Sequence, residues 1–367
     1  MAAMSDDGTS TCPAPSADLA EIRRFLIEAG VAPERVEGLD TGPSLRDALL
    51  EYRLLGNEPR RTLAETAERF GLTTDELRDI WVGIGMPAPA DDELVFSATD
   101  DDVLRSFVAA RRLFGTENLV RFTRVFGNAV TRITEAAFSL FTMSIEDPLV
   151  EKGASDLDIT LAADDAVRTM DVLPDLFVGL LKRNALHAIR RLNAAHGNLP
   201  THDQLLITVG FADLVGSTLW TTRQGPAELA QAIGRFEEIA QASLCGPGRL
   251  VKMIGDEAMF VTVSATDGCR TALAIVDAVA AEETLPDVRV GLATGLTVAL
   301  DGDYYGVEVN RAARLVTSAG PSQVVVSAAV VDAVADDQLA FTPLGPATFE
   351  GLGTEHRFAV SRRARPA

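Results

Sequence analysis

Asp213 closes the apolar run LLITVGFA, Leu205 to Ala212, and Asp256 stands in MIGDEAMF at a Gly-Asp turn between two further apolar runs. A carboxylate at the end of a buried strand is costly unless something compensates it. Two of them on adjacent strands repel each other unless a cation lies between, and hard oxygen donors at strand ends suit Mg2+ or Mn2+. Asp213 and Asp256 are therefore the candidate ligands of a two-metal site. Gly216, Ser217 and Thr218 follow closely on Asp213, in a loop whose backbone N–H groups could cradle phosphates. Taken singly, Asp213 reads equally as a loop cap and Asp256 as a hairpin-turn residue, since Gly-Asp is common turn chemistry. The two carboxylates and the small-residue loop together favour a triphosphate site.

The elements that must position these groups follow from the apolar patterning. Residues 205–362 alternate strands and helices: LLITVGFA, helix PAELAQAIGRFEEIAQASL, strands RLVKMI and EAMFVTV around Gly255-Asp256, helix TDGCRTALAIVDAVAAEE, and strand VRVGLATGLTVAL. Helix VEVNRAARLVTSA, strand QVVVS, a short helix and C-terminal strands near TFEGL and HRFAVS complete the order. The opening β-α-β-β-α-β order predicts a ferredoxin-like sheet with helices on one face. Residues 17–192 instead carry apolar spacings of three and four almost throughout, as in LRDALLEYRLLG, and predict an all-α domain. Between the two lies NAAHGNLPTHDQ, 193–204, a polar linker with Gly and Pro. The fold class expected is α+β, with residues 1–16 as a disordered leader.

Composition bounds the partners. A formal net charge of -20 over 367 residues argues against nucleic acid and against an anionic membrane, because phosphate-rich partners require clustered cations. No signal peptide and no apolar run of membrane-spanning length are visible, and Cys12, Cys245 and Cys269 suit a reducing cytosol, so a cytoplasmic protein is expected. Only three lysines stand against thirty arginines, which makes Lys252 inside RLVKMI a less probable accident.

FADLVGST, VKMIGDEAMF and DYYGVEVNRAARL, in that order, resemble the catalytic domain of the class III nucleotidyl cyclases, adenylyl cyclases in particular, over about residues 203–362. The short DGDYYG arm resembles the bacterial subgroup with an abbreviated dimerisation arm. The resemblance implies a palm-type, ferredoxin-like fold that converts ATP to cyclic AMP and pyrophosphate. It implies that Asp213 and Asp256 bind two Mg2+ or Mn2+ ions and that Lys252 and Asp303 select adenine. Asn310 would position the ribose and Arg314 would meet transition-state charge. It further implies a homodimer with two equivalent sites, the metal aspartates coming from one protomer and the other four residues from its partner. The chemistry agrees: a lysine and an aspartate complement adenine N1 and N6, whereas guanine presents the opposite polarity on that edge. Asn310 and Arg314, at i and i+4, project from one helix face. Ser217 stands where this family often has phenylalanine. Two other readings remain. A diguanylate cyclase would share a Gly-Asp-Glu turn, but IGDEA lacks the second glycine of GGDEF and leaves Asn310 and Arg314 unexplained. A silent nucleotide-binding sensor would be expected to have lost one of the six motif residues.

In the helical half, residues 61–87 have the outline of a helix-turn-helix around Gly71, but Asp75, Glu76 and Asp79 on its second helix favour a packing module over a DNA reader. Phe114, Phe122, Phe126, Phe138 and Phe141 predict a helical core, with a pocket for an apolar ligand such as a fatty acid as the alternative. Helix VLPDLFVGLLKRNALHAIRRLNAAHG runs into the catalytic half, with His187 and His196 on it or just past it, histidine being the residue type whose charge can change near neutral pH. This half resembles the regulatory half of autoinhibited, pH-responsive mycobacterial adenylyl cyclases, which implies regulation by pH; exposed linker histidines without a role are the alternative.

Overall fold

Capping chemistry sets many of the helix ends in the N-terminal half. The computed structural model describes residues 15–170, 173–196, 204–216 and 225–363. The expected leader lies mostly outside them. Helices α1 Pro15–Glu28, α2 Pro33–Val36, α3 Gly42–Leu55, α4 Leu63–Phe70, α5 Thr74–Gly83, α6 Ala98–Phe114, α7 Thr116–Phe141, α8 Asp147–Glu151, α9 Asp156–Thr169 and α10 Leu173–His196 follow one another, with a π-helical turn at Thr142–Glu146. Thr62, Thr73 and Ser155 each form a capping box with the acidic residue three positions on. Gly71 takes the left-handed conformation that ends α4, so the helix-turn-helix outline at 61–87 is a real helix pair.

Leu63, Leu77, Ile80 and Phe96 centre one helical core, and Ile22, Leu26, Leu45 and Leu49 a second. Asp164, its side chain 4% exposed, accepts hydrogen bonds from Arg53 Nε at 2.6 Å and Arg168 Nε at 2.9 Å. Burial pushes the Asp164 carboxyl up, and these bonds more than reverse it, holding its pKa below the usual value.

The phenylalanines expected in a helical core are not in one. Phe114, Phe122, Phe126 and Phe138 are exposed and Phe141 is only half-buried. The reason is local: α7 buries only Leu119, Thr123 and Gly127, and a Cβ on Gly127 would collide with the Ile84 carbonyl. The phenylalanines flank or extend beyond that narrow contact.

The described residues fall into two compact units that divide between Gly179 and Leu180, inside α10. In the second unit, β1 Gln204–Leu214, α11 Pro226–Ala242, β2 Arg249–Ile254, β3 Glu257–Thr262, α12 Ala265–Ala280, β4 Val288–Leu300, β5 Asp303–Tyr305, α13 Val307–Thr317, β6 Val324–Ser327, α14 Ala328–Ala333, β7 Leu339–Phe349 and β8 Gly353–Arg362 build one sheet and its helices. The strand order is β2-β3-β1-β4-β6-β8-β7, with β5 paired to β4. The first four of these are the ferredoxin-like core, all antiparallel; β4 and β6 pair in parallel.

The expectation of helices on one face holds for α11 and α12, which cover Ala212, Phe260, Val290 and Leu292. Helix α13, which follows that opening order, covers the opposite face through Ala312, Leu315 and Val316, against Ile207, Val209, Phe211 and Met259. Gly291 makes this approach possible: a Cβ there would run into the Val316 nitrogen and the Ala312 oxygen. The two C-terminal strands expected near TFEGL and HRFAVS are β7, which ends within TFEGL, and β8.

Candidate active site

Strand register brings the two carboxylates together. Asp213 pairs with Glu257 across β1 and β3, and the Leu214 N–H donates to the Asp256 carbonyl at 3.4 Å. The tight turn between β2 and β3 has Gly255 at φ +64°, where a side chain would be strained, and so delivers Asp256 beside the end of β1. Gly216 likewise has φ +70° just past β1; Ser217 and Thr218 lie outside the described residues.

Two residues absent from the sequence expectations complete this corner. Arg289 on β4 stands opposite Asp213, and its Nη2 and Nε donate to Asp213 Oδ2 at 2.6 and 2.8 Å. Its Nη1 donates to the Thr317 carbonyl at 3.3 Å, tying the carboxylate corner to the end of α13. Glu257 is pushed up to about 7, first by burial and then by the negative charges of Asp213 and Asp256, against the pull of Arg289. The Arg289 guanidinium is thus bonded to Asp213 and also lowers the Glu257 pKa through its charge. Arg289 carried a signal in the sequence, as the single cation interrupting VRVGLATG, and Glu257 directly follows Asp256.

Lys252 on β2 and Asp303 on β5 form an ion pair, although 51 residues separate them. The other Asp303 oxygen accepts the Tyr304 N–H at 2.9 Å, which fixes the carboxylate. Asn310 and Arg314 share a face of α13 and line a cleft of about 480 Å³ with Glu257, Thr317 and Glu350 of the β7–β8 turn. Arg311, their neighbour, turns away to Glu308 and Glu355. The structure thus brings Asp213 to Asp256, Lys252 to Asp303, and Asn310 to Arg314. His187 is exposed on α10; of His196 only its place as the last residue of that helix is described.

Beside Asp303, alternate residues Leu296, Val298 and Leu300 of β4 are exposed, with Leu206 and Tyr305 as the cross-strand partners of Leu296 and Val298. They make a contiguous apolar patch on one sheet face, an uncommon feature of a surface that meets only water.

The adenylate and guanylate cyclase catalytic domain family matches residues 200–362. The chain is 30% identical over 345 residues to an adenylate cyclase of Glutamicibacter nicotianae, covering 88% of this chain and 85% of that one. It is 26% identical over 364 residues to the pH-sensitive adenylate cyclase MT1302 of Mycobacterium tuberculosis, covering 95% and 89%. Among solved structures it is similar to the adenylyl cyclase CyaB from P. aeruginosa, at 20% identity and a TM-score of 0.37, over 44% of this chain and 96% of that one. The chain belongs to the class III nucleotidyl cyclases and carries their catalytic domain. Among the described residues no helix is long and apolar enough to cross a membrane.

Proposed function

We propose that this chain is an adenylyl cyclase that works as a homodimer, converting ATP to 3′,5′-cyclic AMP and pyrophosphate. The observation that carries the choice of adenine is the Lys252–Asp303 ion pair. A cation and a carboxylate held together offer a donor for adenine N1 and an acceptor for its N6 amino group; guanine would meet two mismatches.

The donor set fits divalent metal. Asp213 already draws a cation, Arg289, and Glu257 is driven toward its neutral form first by burial and then by the charges of Asp213 and Asp256. Mg2+ and Mn2+ bind through one or two carboxylates and complete their shells with water and substrate phosphates, which two neighbouring aspartates can supply. Asp213 and Asp256 would hold two such ions, which when bound supply Lewis acidity that acidifies the 3′-hydroxyl and neutralises phosphate charge.

The chain's own groups do the rest. Asn310 orients the ribose so that O3′ lines up on the α-phosphorus. The new O3′–P bond forms as the P–O bond to the β-phosphate breaks and pyrophosphate leaves with the electron pair; the hydroxyl proton passes to water. Arg314 meets the charge that develops on the α-phosphate, a fixed guanidinium being worth most where charge appears only in the transition state. Asp213 and Asp256 of one protomer act with Lys252, Asp303, Asn310 and Arg314 of its partner, and the exposed patch beside Asp303 supports a second copy at that face. Gly216, Ser217 and Thr218 cradle the phosphates. The helical half restrains the cyclase as a function of pH through α10, His187 and His196, a reading supported by the likeness to the relative named pH-sensitive. The reaction takes place in the cytoplasm.

The test mixes two inactive full-length variants, Asp213→Ala and Arg314→Ala. Each alone should make no cyclic AMP. The mixture should recover up to about a quarter of wild-type activity, since half the dimers are mixed and each holds one intact site. A mixture as silent as its components, with subunit exchange demonstrated, would refute a site shared between protomers.

A further inference from the structure

Helix α13 lies on a smooth stretch of β4. The strand presents Gly291, Ala293 and Gly295 to it; a Cβ on Gly291 would run into the Val316 nitrogen and one on Gly295 into the Glu308 side chain. The helix buries Ala312, Leu315 and Val316 there. Apolar contact is non-directional, so it holds the helix down without fixing its rotation about its own axis. No side chain caps its first turn, Gly306 standing at the N-cap. Directional bonds must set the rotation, and rotation decides where Asn310 and Arg314 point.

Arg311, on the flank of α13, supplies such a bond. Its Nε donates to Glu355 Oε1 of β8 at 3.1 Å, while its Nη1 donates to Glu308 three residues back on the same helix. Glu355 comes three residues after Leu352, and the turn residues Glu350 and Leu352 line the same cleft as Asn310 and Arg314. The pair is sheltered, with the Arg311 and Glu355 side chains 19% and 20% exposed. Another ion pair of β8, Arg362 with Asp277 of α12, is more than half exposed on both sides, where such pairs contribute little.

We infer that Arg311 and Glu355 are positioning residues of the active site: their bond ties α13 to the β7–β8 hairpin and sets the rotation of the helix, so that Asn310 and Arg314 point into the cleft. The roles of Asn310 and Arg314 rest on the proposed cyclase reaction; the tie rests on geometry alone. A guanidinium bonded through one nitrogen to its own helix and through another to the strand is a rigid fork with a single aim. Glu308 thereby directs Arg311 at Glu355.

The mildest perturbation is Glu355→Gln, which takes the charge from the tie and leaves Arg311 its Glu308 partner. Asp277→Asn, which removes the same charge from the exposed bridge to Arg362, is the control. In the metal-free, nucleotide-free full chain, hydrogen exchange read by mass spectrometry should show the amides of residues 307–317 exchanging about tenfold faster in Glu355→Gln than in wild type or the control. That arm is independent of the reaction the chain performs. With ATP and Mn2+, kcat should fall by about 10- to 100-fold in Glu355→Gln while KM changes by less than about threefold, because Lys252, Asp303 and the metal ions still bind the nucleotide. Asp277→Asn should keep the wild-type kcat. Arg311→Ala should lower kcat at least as far, and Glu355→Gln added to it should lower it no further, since the two residues act as one bond. Unchanged exchange over α13 in folded Glu355→Gln overturns the tie. A kcat within about twofold of wild type overturns the positioning role even with faster exchange, and so do losses that multiply in the double variant. A wild-type chain that makes no cyclic nucleotide refutes the cyclase reading instead, and the exchange arm then still decides the tie.

Discussion

Replacing Glu257 by Gln should stabilise the metal-free catalytic unit, by an amount that grows as the pH rises from 4.5 to about 7 and is full above that. In the folded chain the Glu257 carboxyl is raised from 4.5 to about 7 by burial and by Asp213 and Asp256. An acid raised by folding costs nothing below its unfolded pKa; as the pH climbs toward the folded value, the unfolded chain gives up the proton and the folded chain keeps it, so stability falls. A rise of this size corresponds to about 3 kcal/mol, which solvent screening at a half-buried site brings to about 1 to 2 kcal/mol. Gln has the shape of the protonated acid and no proton to lose. Urea unfolding in chelator at about pH 5 and about pH 8 should therefore show Glu257→Gln gaining about 1 to 2 kcal/mol over wild type at the higher pH and little at the lower. An equal difference at both would refute the reasoning, because it would mean that Asp213, Asp256 and burial do not act on Glu257 as their positions require.

Three further outcomes follow from contacts in the structure. Arg289→Gln removes the guanidinium from Asp213 and should destabilise the metal-free chain by about 1.5 to 3 kcal/mol, with Mn2+ restoring most of the loss in thermal unfolding. Gly291→Ala sets a Cβ against the backbone of α13, so the helix must shift and carry Asn310 and Arg314 with it; kcat should fall by about 100-fold with a lower Tm. Arg53→Ala leaves Asp164 buried with only Arg168, costing the helical unit about 3 kcal/mol at neutral pH. Because the Asp164 pKa is held low, that loss should shrink on acidification through and below 3.8, as urea titrations at several pH values would show.

How much of this was legible in the chain differs by element. The β-α-β-β-α-β order placed Asp213 and Asp256 on neighbouring strands from apolar spacing alone, and the register bears this out. Asn310 and Arg314 shared a face by helical arithmetic. Lys252 and Asp303, in contrast, meet through a bulged β2 and the short β5, a closure that no local pattern announces; only the family resemblance put them together. Arg289 escaped notice because its meaning depends on β4 lying beside β1, which is a long-range pairing. The same holds for α13, whose apolar stripe says that a face is covered but not which side of the sheet covers it. The phenylalanines of α7 show the converse limit. Their spacing is that of a buried face, yet the contact α7 makes within its own unit is confined to Leu119, Thr123 and Gly127.

The most direct measurement of the central claim is the product made by the purified full chain from ATP and, separately, from GTP in the presence of Mn2+, resolved by chromatography. Cyclic AMP from ATP with little cyclic GMP from GTP is the expected result, with selectivity lost when Lys252 and Asp303 are replaced together. Cyclic GMP as the main product, or no cyclic nucleotide from a folded and dimeric preparation, would contradict it.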